Sequence, residues 1–204
     1  MPALEPGQSI VFFGDSITAA QPGYVDLLWQ ALRQTRPNDA PRLLNAAISG
    51  NTIRDLAARL DSDVLAHRPT WVAICIGAND YLDFAEGRPE GVPLAEFVSS
   101  YAAILSRIRA AGPSPILMTI PIVANVSDEF PVPDPGPYNA AIVALAEREE
   151  LPLVALHRAF YEVYERAANY KQTVSLTVDG VHPNRQGHAL IARTIITQLG
   201  PLQK

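Results

Sequence analysis

Four short blocks of this chain carry side chains that can do chemistry together. They are Gly14-Asp15-Ser16, Ser49-Gly50-Asn51, Gly77-Ala78-Asn79-Asp80 and Asp179-Gly180-Val181-His182-Pro183-Asn184. Ser16 offers a hydroxyl nucleophile, which is weak at its ordinary pKa and needs a base beside it. The candidate base is His182. Asp179 precedes it by three residues in a turn-forming stretch, so both side chains can point to one side. The carboxylate then holds one imidazole nitrogen and the other faces Ser16. Asn79 adds a carboxamide donor, and Gly50 is a flexible position whose backbone N–H can aim inward. The chemistry in prospect is nucleophilic catalysis by an activated serine.

Elements that alternate strand and helix must bring these blocks together. Short apolar runs at 10–13, 43–44, 71–76, 116–118 and 153–156 read as five strands. The run 71–76 is apolar at every position, as expected of a central strand covered on both faces. Between the strands, apolar residues fall at helical spacing. Val25, Leu28, Trp29 and Leu32 form one stripe, and Ile53, Leu56, Leu60 and Val64 a second, opened by a Thr52/Asp55 capping pattern. Arg54, Asp55, Arg59 and Asp61 take the other faces of that second helix. Further helices are expected around 97–108, 138–149 and 160–164. A last one spans 185–198, with Asn184 as its N-cap.

This alternation predicts an α/β fold: a single-domain, three-layer α/β/α sandwich over residues 1–204 with a five-stranded parallel sheet in the flavodoxin-like order 2-1-3-4-5. Ligands of such sheets bind beyond the carboxyl ends of the strands, near the point where strand order reverses. The first three chemical blocks follow strands one, two and three, which are neighbours in that order. Residues 81–93 and 121–137 read as loops after strands three and four, flanking the same place.

The bulk properties exclude other classes. A chain of 204 residues, 48% hydrophobic and 18% charged, is an ordinary globular composition. A net charge of −5 gives no electrostatic reason to expect nucleic acid or an anionic membrane as partner. The longest apolar run is far too short to span a bilayer. One cysteine, Cys75, precludes an intrachain disulfide and sits in an apolar strand, where it reads as core. The N-terminus lacks the basic start, apolar run and cleavage site of a secretory signal, so a cytoplasmic location is the expectation.

The four blocks, in this order and at these spacings, resemble those of the SGNH (GDSL-type) hydrolases, over about residues 10–199. The runs GYVDLL at 23–28, ISGNTIRDL at 48–56, DVLAHRPTWVAICIGAND at 63–80 and HPNRQGHALIAR at 182–193 are similar to bacterial acetylxylan-esterase-like members. The resemblance implies a serine esterase without cofactor or metal. Ser16 attacks an ester carbonyl, His182 is the general base, and Asp179 fixes the imidazole. The N–H groups of Ser16 and Gly50 with the Asn79 amide form the oxyanion hole. Asp15 is expected to hydrogen-bond nearby backbone, and Asp80 to orient the loop carrying Asn79. The implied partner is a small-molecule ester: a short-chain acyl ester, an acetylated oligosaccharide, or a thioester or lysophospholipid handled by the same mechanism. A homo-oligomer stays open. The chain order Ser, Asp, His matches the α/β-hydrolases, but no G-x-S-x-G elbow surrounds Ser16.

Blander readings stand beside these. Ser16 alone could cap the helix after strand one, and Gly50 could be only a turn glycine. His67, His157 and His188 read as surface or structural. Tyr81, Phe84 and Tyr138 could line an acyl or sugar pocket, or pack loops onto the core. The rival enzyme class is metal-dependent phosphate chemistry, with Asp15, Asp80 and Asp179 clustered around Mg²⁺. That reading leaves His182 and Asn79 without roles, and the chain has no phosphate-loop lysine motif. A sugar-binding module is the second rival, and it has no need of a Ser-His-Asp set.

Overall fold

The computed structural model describes residues 7–124 and 132–199. Five parallel strands run in the order β2-β1-β3-β4-β5. They are β1 (Ser9–Gly14), β2 (Arg42–Asn45), β3 (Trp71–Cys75), β4 (Ser114–Met118) and β5 (Leu153–Val154). The order expected from the alternation is the one observed. The central strand β3 is buried at every position, which is why its sequence is uninterrupted by polar residues. In register, Gly14 pairs with Cys75 and Phe12 with Asn45, so the carboxyl ends of β1, β2 and β3 lie side by side.

Helices cover both faces. On one, α2 (Tyr24–Thr35) packs on α8 (Arg185–Gln198), and α8 on α7 (Leu156–Asn169). On the other, α3 (Ile53–Asp63) packs on α5 (Leu94–Ala111), and α5 on α6 (Gly136–Arg148). The expected Thr52/Asp55 cap is present: the Thr52 backbone N–H and hydroxyl both donate to Asp55 Oδ2 at 2.8 Å. Asn184 caps α8 by accepting from the Gln186 and Gly187 N–H groups.

Two helices depart from the sequence expectation. The short α1 (Ser16–Ala19) follows β1 directly, and α4 (Ala78–Ala85) follows β3. Residues 81–85, expected in a loop, are therefore helical. Their apolar positions are too few to show a periodic stripe, yet Tyr81 buries its ring and Asp80 supplies a carboxylate to the first turn. The fifth strand is two residues long, because Leu156 already belongs to α7. Of the 121–137 loop, residues 125–131 lie outside the described residues, and 136–137 open α6.

Candidate active site

The nucleophile candidate is placed by a turn that leaves no slack. At Gly14 a Cβ would run into the backbone carbonyl oxygen of Cys75 on the adjacent strand and lie 2.9 Å from Thr18 Oγ1. The chain then bends through Asp15, in extended conformation, whose Oδ1 accepts the Ile17 N–H at 3.0 Å. Asp15 is thus the cap of α1, and the Ser16 hydroxyl is left free of capping. Asp15 is almost completely buried. Burial pushes its carboxyl up to about 7, against the pull of the Ile17 N–H, the nearby His182 and the Ala78 N–H.

The base arrives on a hairpin-like loop before α8. Val178 N–H donates to the His182 carbonyl at 2.9 Å, and Asn184 N–H donates to the Leu176 carbonyl at 2.9 Å. Inside this loop Asp179 Oδ1 accepts the backbone N–H groups of Val181 (3.0 Å) and His182 (2.7 Å). Its Oδ2 lies 2.6 Å from His182 Nδ1. The remaining ring nitrogen, Nε2, stands 2.9 Å from Ser16 Oγ. A carboxylate can only accept, so Nδ1 carries the proton and Nε2 presents a lone pair to the serine hydroxyl. Partial burial works to raise the Asp179 carboxyl, but the bonds from His182 and Val181 outweigh it and hold the group below the usual carboxylate range. It therefore stays ionised beside the imidazole.

The third part follows β2 and β3. Gly50 has φ +82°, a left-handed conformation that L side chains rarely adopt, in an exposed turn closed by the Asn51 N–H on the Ile48 carbonyl at 3.3 Å. The turn hangs on β1 through Ile48 N–H, which donates to the Gly14 carbonyl at 3.1 Å. Asn79, in the first turn of α4, donates one amide hydrogen to the Asn51 carbonyl at 2.8 Å. Its second amide hydrogen is free for another acceptor. Next to it, Asp80 Oδ1 accepts the Ile53 N–H at 2.9 Å and so ties α4 to α3. Asp80 is buried, and burial lifts its carboxyl to about 7 against the Ile53 bond, with the Asp15 carboxylate adding to the rise.

Ser16, His182 and Asp179 are joined in one hydrogen-bonded line, while Asn79 and Asp80 bond to the Asn51 carbonyl and the Ile53 N–H of the segment that follows Gly50. Other expectations resolve differently. Tyr81 and Tyr138 pack into the core: both are buried, 5.9 Å apart between ring centroids, and Tyr138 also packs edge-on to Phe97. Phe84 alone of the three is exposed. His188 is buried and stacked on Tyr24, and His157 Nδ1 donates to the Ile122 carbonyl at 2.7 Å. Asp15, Asp80 and Asp179 do not converge as a cation site. Among the described residues no three His, Cys, Asp or Glu side chains group so as to hold a metal ion.

Sequence reasoning missed Arg59, which it placed on a solvated face of α3. Its side chain is only 13% exposed, lies over the Phe13 ring at 4.4 Å, and donates to Asn51 Oδ1 (2.6 Å), Ala46 O (2.5 Å) and Gly14 O (3.3 Å). The available signal was its position beside Leu60 with an acid, Asp63, four residues on, which pairs with it at 3.0 Å.

Comparison with known proteins finds similar sequences and similar structures. The model of the GDSL-like lipase/acylhydrolase family matches residues 12–190. The acetylxylan esterase of Geobacillus stearothermophilus is 31% identical, over 95% of this chain and 94% of its own. Thioesterase 1/protease 1/lysophospholipase L1 of Escherichia coli is 28% identical over 95% of this chain and 84% of its own. Crystal structures of three catalytic mutants of the Geobacillus esterase, in which a serine, an aspartate or a histidine is replaced by alanine, superpose with TM-scores of 0.83, 0.82 and 0.82. Each is 28% identical and covers 100% of this chain and 99% of the other.

Proposed function

The chain belongs to the GDSL-like lipase/acylhydrolase family and is a carboxylic ester hydrolase, and from that premise we propose that Ser16, His182 and Asp179 run its reaction on acetyl esters of carbohydrate hydroxyls. The observation that carries the residue roles is the continuous line from Ser16 Oγ through His182 to Asp179, at 2.9 and 2.6 Å. Ser16 Oγ bonds to the acyl carbon while its proton passes to His182 Nε2. The tetrahedral oxyanion is held by the N–H groups of Ser16 and Gly50 and by the free Asn79 amide hydrogen. Collapse breaks the ester C–O bond, and Nε2 returns the proton to the leaving alcohol. Water then repeats the sequence on the acyl-enzyme, releasing the acid and the serine hydroxyl. Asp179 keeps the proton on Nδ1 and stabilises the imidazolium formed in each half.

Two things support the acetyl-carbohydrate reading. The similar Geobacillus protein is an acetylxylan esterase, also described as an acetyl-xylooligosaccharide esterase. The His182 and Asp179 side chains are nearly half exposed, at 46% and 43%, so the reacting line lies at an open rim where a bulky alcohol portion can extend into solvent. The test is hydrolysis of p-nitrophenyl esters from acetate to decanoate and of acetylated xylooligosaccharides, in EDTA, by wild type and Ser16→Ala. Metal-independent turnover that is lost in the variant, with acetate preferred and acetate released from the oligosaccharide, is the expected result. Preference for long acyl chains would instead favour the thioesterase/lysophospholipase activities named for the Escherichia coli relative.

A further inference from the structure

We infer that Arg59 is a positioning residue for the oxyanion hole, acting through Asn51. This rests on the reading that Gly50 and Asn79 bind the oxyanion. Gly50 and Asn79 sit on different elements, a surface turn after β2 and the first turn of α4, and Asn51 joins them. Its backbone carbonyl takes one amide hydrogen of Asn79 at 2.8 Å, and its own N–H follows the Gly50 peptide. The rotation of that carbonyl therefore sets where the second Asn79 hydrogen points.

What fixes Asn51 is Arg59. The guanidinium Nε donates to Asn51 Oδ1 at 2.6 Å, while Nη1 donates to the Ala46 carbonyl and Nη2 to the Gly14 carbonyl. Asp63 at 3.0 Å and the Phe13 ring at 4.4 Å hold the cation itself. One planar fork thus references the oxyanion turn to the ends of both β2 and β1. The Gly14 carbonyl it grips lies two residues before Ser16. A lysine, with a point charge and no fixed fork, cannot hold three acceptors in these directions. A donor to an oxyanion loses most of its value when misaimed, because the preorganisation is what lowers the barrier.

The test is a double-mutant cycle on p-nitrophenyl acetate, with kcat, KM and Tm measured for Arg59→Lys, Asn51→Ala, Asn51→Asp, Asn79→Ala and the pairs of the first two with Asn79→Ala. Arg59→Lys and Asn51→Ala are expected to lower kcat at least about 10-fold with KM within about 2-fold. In the Asn79→Ala background the same changes should cost less than about 3-fold, since the donor they aim is gone. Asn51→Asp, which keeps an acceptor for Nε, should retain kcat within about 3-fold. Equal losses in both backgrounds, an unchanged kcat in Arg59→Lys and Asn51→Ala, or failure of Asn51→Asp to differ from Asn51→Ala would overturn the inference. If those substitutions are silent while Asn79→Ala is slow, the oxyanion reading stands without Arg59. If Asn79→Ala itself turns over at the wild-type rate, both are wrong.

Discussion

Asp179 serves His182 with both of its oxygens: Oδ1 accepts the histidine's backbone N–H at 2.7 Å, and Oδ2 meets its ring Nδ1 at 2.6 Å. Spacing by three residues in a turn makes this possible, and one carboxylate thereby fixes both where the histidine backbone sits and which ring nitrogen bears the proton. An amide in its place could still accept the backbone N–H but would offer an N–H to the ring or rotate away. Asp179→Asn is therefore expected to lower kcat on p-nitrophenyl acetate by roughly 10³–10⁴ with little change in Tm. A loss smaller than about tenfold, in a variant with wild-type Tm, would count against this role.

Asp15 is the buried cap of α1, and burial pushes its folded-state carboxyl up to about 7 from the ordinary 3.8. The folded protein therefore binds more protons than the unfolded chain between about pH 4 and 7. Stability from this group falls as pH rises through that window and levels off above it. Asp15→Asn keeps an oxygen for the Ile17 N–H and removes the titration. Its stability relative to wild type should rise from pH 5 to pH 8 by on the order of 1–3 kcal/mol. Urea denaturation at the two pH values reads this directly, and a variant that loses relative stability as pH rises would show the sign to be wrong.

At Gly14 the obstruction to a side chain is backbone, the Cys75 carbonyl of the paired strand, which cannot swing aside as a flexible side chain would. Gly14→Ala is expected to destabilise the fold by about 1–3 kcal/mol, with the β1–β3 pairing as the part that yields. Thermal unfolding checks it. An unchanged Tm would mean that the strand ends separate without penalty.

Tyr138 reaches from α6 to donate its hydroxyl to the buried Val92 carbonyl at 2.6 Å, pinning the segment between α4 and α5. Tyr138→Phe leaves that carbonyl unpaired and should cost about 1–3 kcal/mol of stability. Because the ring packs in the core, KM for p-nitrophenyl acetate should stay within about 2-fold. A large KM change with unaltered Tm would return Tyr138 to the substrate pocket.

The sheet was legible because its signals are local: 71–76 is uniformly apolar, and Thr52/Asp55 and Asn184 announce helices that form where expected. The neighbourhood of Ser16, Gly50 and Asn79 was legible for a different reason, since strand order brings the ends of β1, β2 and β3 together, whereas His182 and Asp179, on the loop before α8, were legible from their three-residue spacing and from the resemblance of the four blocks. Arg59 was hidden because its partners are carbonyls and one carboxamide from three other segments, and nothing in a helical wheel distinguishes a charge facing water from one facing strand ends. The eight-residue α4 was hidden by its length, with Tyr81 its one fully buried aromatic residue. Tyr81 and Tyr138 show the same limit, because an aromatic residue near a strand end has no sequence mark that separates lining from packing.

The most direct measurement of the central claim is covalent labelling. Wild type, Ser16→Ala and His182→Ala are each treated with diethyl p-nitrophenyl phosphate, which traps an activated serine, and then analysed by intact mass and peptide mapping. One adduct per wild-type chain, on Ser16, formed in step with loss of esterase activity and strongly slowed in both variants, is the predicted result. Full esterase turnover in Ser16→Ala, or complete inactivation with the label on any residue other than Ser16, would contradict it.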